Sequence, residues 1–205
     1  MRKSVIALVA VVSLGFVSAC GASGGSDSSS KDATTTTKAP KATTTTTEAS
    51  KAVAVTAWAD GFCTSFSDWL DEIKAASSDV GTKITPGDIA GAKAAIADLF
   101  DSASSSTQNL IASMEDAGSP DIDNGDQLVQ DLIAKFQAFD DAAQAAKSDT
   151  EALATTDATK FQSDAQELTT RFQTDVNTVA DSFAEIDTKY PSKELNAALS
   201  SSCNF

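Results

Sequence analysis

Apolar side chains recur at helical spacing along most of this 205-residue chain. From Ala52 onward they follow one another at steps of three or four residues, and the alternation typical of a strand does not persist. Two stripes are especially clear, one running through Val55, Trp58, Phe62, Phe66, Trp69 and Ile73, the other through Phe161, Ala165, Leu168, Phe172, Val176, Val179, Phe183 and Ile186. Because such stripes are buried against other helices, the pattern predicts an all-α domain.

Signals for helix ends divide this domain into four long helices. Thr85 as N-cap and Pro86 at the first helical position predict the start of the second helix, and Gly118-Ser119-Pro120 predicts its end. Lys189-Tyr190-Pro191 ends the fourth helix, and Ser192 caps a short final one. We therefore expect an antiparallel four-helix bundle with a short C-terminal helix. Acid-first i,i+4 pairs are expected to support it, namely Asp131 with Lys135, Glu167 with Arg171 and Glu185 with Lys189.

The N-terminal residues predict a secretory signal. After a positively charged start, Val5–Val17 is an apolar stretch of 13 residues, shorter than the roughly 18 that span a bilayer. It ends in Val17-Ser18-Ala19-Cys20, which resembles the lipobox of bacterial lipoproteins, although the usual pattern has Leu where Val17 stands. The resemblance implies that residues 1–19 are removed and that Cys20 carries a diacylglycerol and becomes the new N-terminus. An ordinary cleaved signal with a chance cysteine is the alternative.

Residues 20–51 predict a tether between this lipid anchor and the domain at residues 52–205. After Cys20 the segment is built mainly from Gly, Ser, Thr, Ala, Lys and Pro, and it lacks the large apolar side chains that a core requires. We therefore expect it to be disordered, with a root-mean-square span near 30 Å for about 30 residues. Thr beside Pro also suggests O-glycosylation, which would stiffen the tether.

Charge and composition exclude several function classes. Residues 51–205 hold 26 acids and 10 bases, a balance that repels phosphate backbones and excludes ordinary nucleic-acid binding. The chain has no histidine, which removes most catalytic triads and most transition-metal sites. We expect no cofactor and no catalytic residue.

The acidic motifs do not predict a metal site. Asp121–Asp126 resembles the start of a calcium loop, but glycine stands fifth rather than sixth and the twelfth residue is Leu132. We interpret this segment as acids placed favourably at a helix N-terminus. Adjacent acids such as Asp71 with Glu72 and Asp140 with Asp141 point in different directions on a helix and are expected to be solvated.

The remaining two cysteines, Cys63 and Cys203, are predicted to form a disulfide. Once Cys20 carries lipid, they are an even pair in an oxidising compartment. The topology supports the pairing independently, because the fourth helix of an up-down bundle ends at the level where the first begins. The segment after Pro191 can then return Cys203 to the first helix.

Two further features leave structural and functional interpretations open. Trp58, Phe62, Phe66, Trp69 and Phe136 have the spacing of core residues, but they are also the candidates to line a groove or cavity for an apolar ligand. The polar run of residues 102–107 lies within the second helix, where serine and threonine are unfavourable. It predicts a close helix contact or a polar outer face, and alternatively the mouth of an interior space.

Taken with the lipobox and the tether, a helical domain that opens with Trp58–Cys63 and ends near Cys203 resembles small cell-envelope lipoproteins of actinobacteria. This resemblance implies attachment to the extracytoplasmic face of the cell membrane and no particular reaction. A non-enzymatic module that binds an envelope protein or a glycan is the first hypothesis. A carrier of an apolar, lipid-like ligand inside the bundle is the alternative.

Overall fold

Four long helices form the bundle in the computed structural model, which describes residues 52–203. They are α1 (Val55–Lys83), α2 (Ile89–Ala117), α3 (Gly125–Ala152) and α4 (Ala158–Phe183), followed by α5 (Ile186–Lys189) and α6 (Lys193–Ser202). Two strands of two residues each, β1 (Ala52–Val53) and β2 (Ser119–Pro120), pair in parallel. The predicted four-helix bundle with a short C-terminal helix is confirmed. The predicted signal peptide, lipidated Cys20 and tether lie outside the described residues.

The helix starts depend on side-chain caps, one of which differs from the prediction. Ser192 caps α6 as predicted, since its hydroxyl accepts a hydrogen bond from the Leu195 N–H. The prediction that Thr85 caps α2 is wrong, because the Asp88 carboxylate accepts the Gly91 N–H at 2.8 Å. Gly87, with φ at 87°, turns the chain just before this cap, so the helix starts later than Pro86 suggests.

The core is divided into two packed clusters. The disulfide-end core joins α1, α2, α3 and α6, and its buried apolar residues include Trp58, Ala59, Trp69, Leu110, Met114, Leu128, Phe136, Leu195 and Ala198. The far-end core joins α2, α3 and α4 through Ile96, Phe100, Ala103, Ala143, Ala146, Phe161, Ala165, Leu168 and Phe172. Because α2 and α3 contribute to both clusters, they form the continuous centre of the bundle.

The second half of α4 is less buried than its apolar stripe predicts. Phe161 and Phe172 are buried, whereas Val176, Val179 and Phe183 are only partly buried. The helix also ends at Phe183, where the backbone N–H of residue 184 bonds three residues back, to the Asp181 carbonyl. The reason is that α6, not the end of α4, packs against α1 in the disulfide-end core.

The predicted disulfide between Cys63 and Cys203 is confirmed. Their Cα atoms lie 5.1 Å apart, and the bond joins α1 to the residue that follows α6 across 140 positions of sequence. Closing a loop of this size stabilises the folded chain by about 4–5 kcal/mol in the chain-entropy description. The bond therefore fixes the short α6 to the bundle.

The chain enters the domain beside the connection between α2 and α3. Val53 pairs with Pro120, and the Val53 carbonyl accepts the Asp121 N–H at 2.8 Å. Gly125 begins α3 directly against this connection, and a Cβ at this position would lie 2.1 Å from the Pro120 carbonyl oxygen. The close approach requires glycine at residue 125.

We therefore expect Gly125→Ala to destabilise the domain by about 1–3 kcal/mol, because the added methyl group overlaps a backbone oxygen that cannot move freely. Urea unfolding followed by circular dichroism measures the change. Gly81→Ala is the matched control, since a Cβ at Gly81 on α1 meets no atom within 4 Å. Alanine there should stabilise the helix by up to about 1 kcal/mol. Equal effects of the two substitutions would contradict the close approach at Gly125.

Candidate binding surface

A column of aromatic rings runs along α1. Trp58 stacks on Phe62 with ring centroids 5.3 Å apart, Phe62 on Phe66 at 5.7 Å, and Phe66 on Trp69 at 5.3 Å. The spacing of three or four residues places all four rings on one helix face. Each ring therefore packs against the next, and these contacts restrict the side-chain conformations of all four residues.

The five predicted ligand-lining residues come together, but mainly as packed core. Trp58, Trp69 and Phe136 are only 3%, 5% and 2% exposed. Phe136 on α3 closes the column from the side, with its centroid 5.7 Å from that of Trp69 and 6.1 Å from that of Phe66. Phe62 and Phe66 are partly buried. The rings occupy the space between α1 and α3, and binding of an apolar ligand by these five residues stays a prediction.

Both indoles of the column donate hydrogen bonds to α2 or its end. Trp58 Nε1 donates to the Gly118 carbonyl at 3.1 Å, and Trp69 Nε1 donates to Thr107 Oγ1 at 3.0 Å. Thr107 belongs to the polar run of α2, in which Ser104 and Ser106 are also buried. At these three positions the run is a close helix contact, the first of the interpretations that the sequence left open.

Asp140 on α3 is a buried carboxylate that the sequence prediction treated as solvated. It is 9% exposed and accepts hydrogen bonds from Ser104 at 2.5 Å, Gln108 at 3.1 Å and Gln144 at 2.9 Å. The prediction is wrong for Asp140 because this residue faces α2, whereas Asp141 is exposed. Ser104, at 7% exposure, is equally enclosed, so the network joins α2 to α3 and leaves little room for a substrate.

The three predicted i,i+4 pairs are wrong for the described residues, because Asp131, Arg171 and Lys189 form cross-helix pairs instead. Lys189 donates to Asp131 on α3 at 2.5 Å, and Arg171 donates to Asp149 at 2.9 Å. The Tyr190 hydroxyl also donates to Asp131, at 2.8 Å. Arg171 reaches Asp149 because α4 packs beside α3. The bonds of Lys189 and Tyr190 to Asp131 hold the segment before α6 against α3.

These contacts shift the pKa values of Asp131 and Tyr190. The hydrogen bond from Lys189 lowers the pKa of Asp131, with the hydrogen bond from Tyr190 adding to it against the opposing effect of burial. Burial and the hydrogen bond to Asp131 raise the pKa of Tyr190. The folded state therefore favours the ionised Asp131 carboxyl and the protonated Tyr190 hydroxyl.

A half-open groove of about 260 Å³ lies between α1 and α2 at the disulfide end. Its walls are mostly apolar, and it is lined by Trp58, Gly61, Phe62, Ser65, Ser113, Met114, Asp116 and Ala117. Only Trp58 and Phe62 of the predicted ligand-lining residues reach it. The groove residues on α2 were missed in the sequence because nothing in the local pattern places Met114 and Ala117 beside Phe62.

The calcium-like segment makes contacts within the protein. The Asp121 N–H bonds to Val53, and the Ser119 hydroxyl hydrogen-bonds to the Asp126 carboxylate. Among residues 52–203, no group of three or more cysteine, aspartate or glutamate side chains is arranged to hold a metal ion.

A comparison of the chain with protein families, curated proteins and solved structures finds no match. Within the described part of the chain, every helix is too short or too polar to cross a membrane.

We expect Thr107→Val to destabilise the domain by about 1–3 kcal/mol, because the isosteric change leaves the buried Trp69 N–H without its acceptor. Thr150→Val is the matched control. Both threonines are 0% exposed and donate to a carbonyl one turn back, at 2.7 Å, but the described contacts of Thr150 include no indole. Urea unfolding should therefore show a clearly smaller loss for Thr150→Val, and equal losses would show that the indole bond is not the cause.

The stability contributed by Asp131 should depend on pH. Because its pKa is lower in the folded chain, the ionised carboxyl contributes stability above its unfolded pKa, and this contribution is lost as the pH falls through the folded pKa. Asp131→Asn should therefore lower the urea midpoint near about pH 7, and the difference from the unmodified protein should close toward about pH 2. Asp175→Asn, at an exposed acid on α4, is the control and should show no such convergence. A difference that is constant with pH would contradict the prediction.

Proposed function

We propose that this chain is a lipid-anchored lipoprotein of the extracytoplasmic face of the cell membrane, and that its helical domain is a non-enzymatic binding module. The anchor is supported by Val17-Ser18-Ala19-Cys20 at the end of the apolar stretch. The location is further supported by the Cys63–Cys203 disulfide, since such bonds persist in oxidising compartments.

The observation that carries the binding role is the apolar groove at the surface of the disulfide end. Its floor is held by rings that stack on one another and by the Trp58 hydrogen bond to Gly118, so the shape exists before any partner arrives. A preformed site reduces the ordering cost of association. The polar groups that lie together elsewhere, Ser104 and Asp140, are enclosed between helices and suit a structural role better than a catalytic one.

A carrier of an apolar ligand is the second candidate. It is favoured by Trp58 and Phe62 in the groove wall. The volume of about 260 Å³ is, however, below the roughly 300–1,000 Å³ typical of sites that enclose a small molecule. The rings of Phe66, Trp69 and Phe136 are in contact with one another, which leaves little space between them for an acyl chain. The size of the groove therefore favours contact with a protein or glycan at the surface.

The tether that the composition predicts would explain how modest contacts suffice. A lead of about 30 residues would confine the domain to a layer near 30 Å deep, which would raise its effective concentration toward envelope partners. A module that works in this way does not need high affinity for each contact.

The proposal predicts that specific crosslinks in intact cells depend on the lipid anchor. Two forms of the full-length precursor are compared, one with its own signal and one with a secretory signal that is cleaved without lipidation. Intact mass should show a diacylglyceryl adduct on a chain that begins at Cys20 in the first form only. The released, unlipidated form should lose the crosslinks that the anchored form makes, because the effective concentration of the domain near its envelope partners falls.

Three outcomes would overturn the proposal. A mature unlipidated chain that begins elsewhere would remove the anchor. A lipid that stays bound in stoichiometric amount through purification would favour the carrier, and turnover of a substrate would show an enzyme.

A further inference from the structure

The groove between α1 and α2 is lined by Phe62, whose ring is stacked between two neighbouring aromatic rings. Phe62 is stacked on Trp58 on one side and on Phe66 on the other, with interplanar angles of 4° and 14°. Trp58 and Phe66 therefore lie against the Phe62 ring, which leaves little room for a cation over its faces. Phe62, which is partly buried, and Met114 line the groove and form its apolar wall.

The helix stretches that form the groove carry acidic side chains and no basic ones. Residues 58–65 and 113–117, which span the groove lining, contain Asp60, Glu115 and Asp116 and no lysine or arginine. Asp116 lines the groove itself, and Glu115 and Asp60 are exposed beside it on the same two helices. Three of the ion pairs, Lys83–Asp98, Lys147–Asp101 and Arg171–Asp149, lie away from the groove, and Lys189 is paired with Asp131 on α3. The groove therefore combines an apolar wall with a negative rim.

We infer that this groove is the docking site for a basic segment of a partner protein, in which one apolar side chain enters between Phe62 and Met114 while flanking Lys or Arg side chains meet Asp116 and Glu115. The inference rests on the proposed binding function and names the chemistry of the partner. A volume of about 260 Å³ suits one anchor side chain, and buried anchors with a charged rim are typical of protein interfaces.

Other occupants fit the groove less well. A second copy of the chain would bring two acidic ends together, and an anionic lipid or a nucleic acid would be repelled in the same way. The chain's own segment of residues 21–50 contains lysine but no Leu, Ile, Val, Met or aromatic residue to serve as the anchor. A basic partner with an apolar residue satisfies both properties of the site.

The test uses the full mature chain and three synthetic peptides, observed by amide chemical shifts. The first peptide has one Leu flanked by two Lys on each side, the second replaces Leu by Ala, and the third replaces every Lys by Glu. The first peptide should shift the amides of Gly61, Ser113 and Ala117, and its affinity should fall as salt is raised. The Ala and Glu peptides should each bind at least about fivefold more weakly, because each lacks one part of the recognition.

Two substitutions on α1 provide a matched pair for blocking the groove. A Cβ at Gly61 or at Gly81 meets no atom within 4 Å, and both residues are exposed, so both positions accept a larger side chain. Gly61→Leu fills the groove and should weaken binding of the Leu-containing peptide by about tenfold or more. Gly81→Leu, which lies away from the groove, should leave the affinity unchanged. Asp116→Asn should weaken binding of the Leu-containing peptide by roughly two- to fivefold and make its affinity less dependent on salt.

Several results would overturn the inference. Equal binding of the Ala peptide would mean charge attraction alone, and equal binding of the Glu peptide would mean that the acidic rim has no role. Self-association that Gly61→Leu abolishes would show a second copy in the groove, and unchanged peptide binding by Gly61→Leu would place the site elsewhere. If anchored Gly61→Leu protein still made the lipid-dependent crosslinks, the proposed function would stand and this groove would not be its site.

Discussion

The stacked aromatic column on α1 is the interaction on which the rest of this structure depends. It connects the disulfide-end core to the far-end core, since Trp69 contacts Phe139, which in turn contacts Phe172 on α4 at 6.1 Å. Its indoles are joined to α2 by hydrogen bonds to Gly118 and Thr107. Aromatic pairs contribute about 0.5–1.5 kcal/mol beyond the burial of their area, so the column both stabilises and orients the helices.

The disulfide and the contacts around Asp131 fix α6 and the residues just before it. α6 has only ten residues, a length at which an isolated helix is marginal. Cys203 ties its end to α1, and Asp131 holds Lys189 and Tyr190 just before its start. Leu195 and Ala198 can then stay buried in the same core cluster as Trp58. Trp58 also lines the groove between α1 and α2.

The same arrangement gives the domain two chemically different ends. The pairs Lys83–Asp98, Lys147–Asp101 and Arg171–Asp149 lie away from the groove, whereas residues 58–65 of α1 and 113–117 of α2, which line it, include acids and no lysine or arginine. The chain also enters the domain near the groove, through the pairing of Val53 with Pro120. An anchored domain would therefore have its groove close to the point where the tether arrives.

Much of the fold follows from the sequence alone, because apolar periodicity and capping residues are local signals. They predict the four helices, the Ser192 cap and, with the cysteine count, the Cys63–Cys203 bond. The candidate site depends on tertiary structure. Only packing places Thr107 opposite Trp69 and Asp140 against Ser104, and only packing sets Met114 beside Phe62 to form the groove. It also decides that α6 packs against α1, whereas Phe183 at the end of α4 packs against Phe136 on α3. The physical reason is that helical spacing shows which residues share a face, whereas the relative rotation and height of neighbouring helices decide what that face meets.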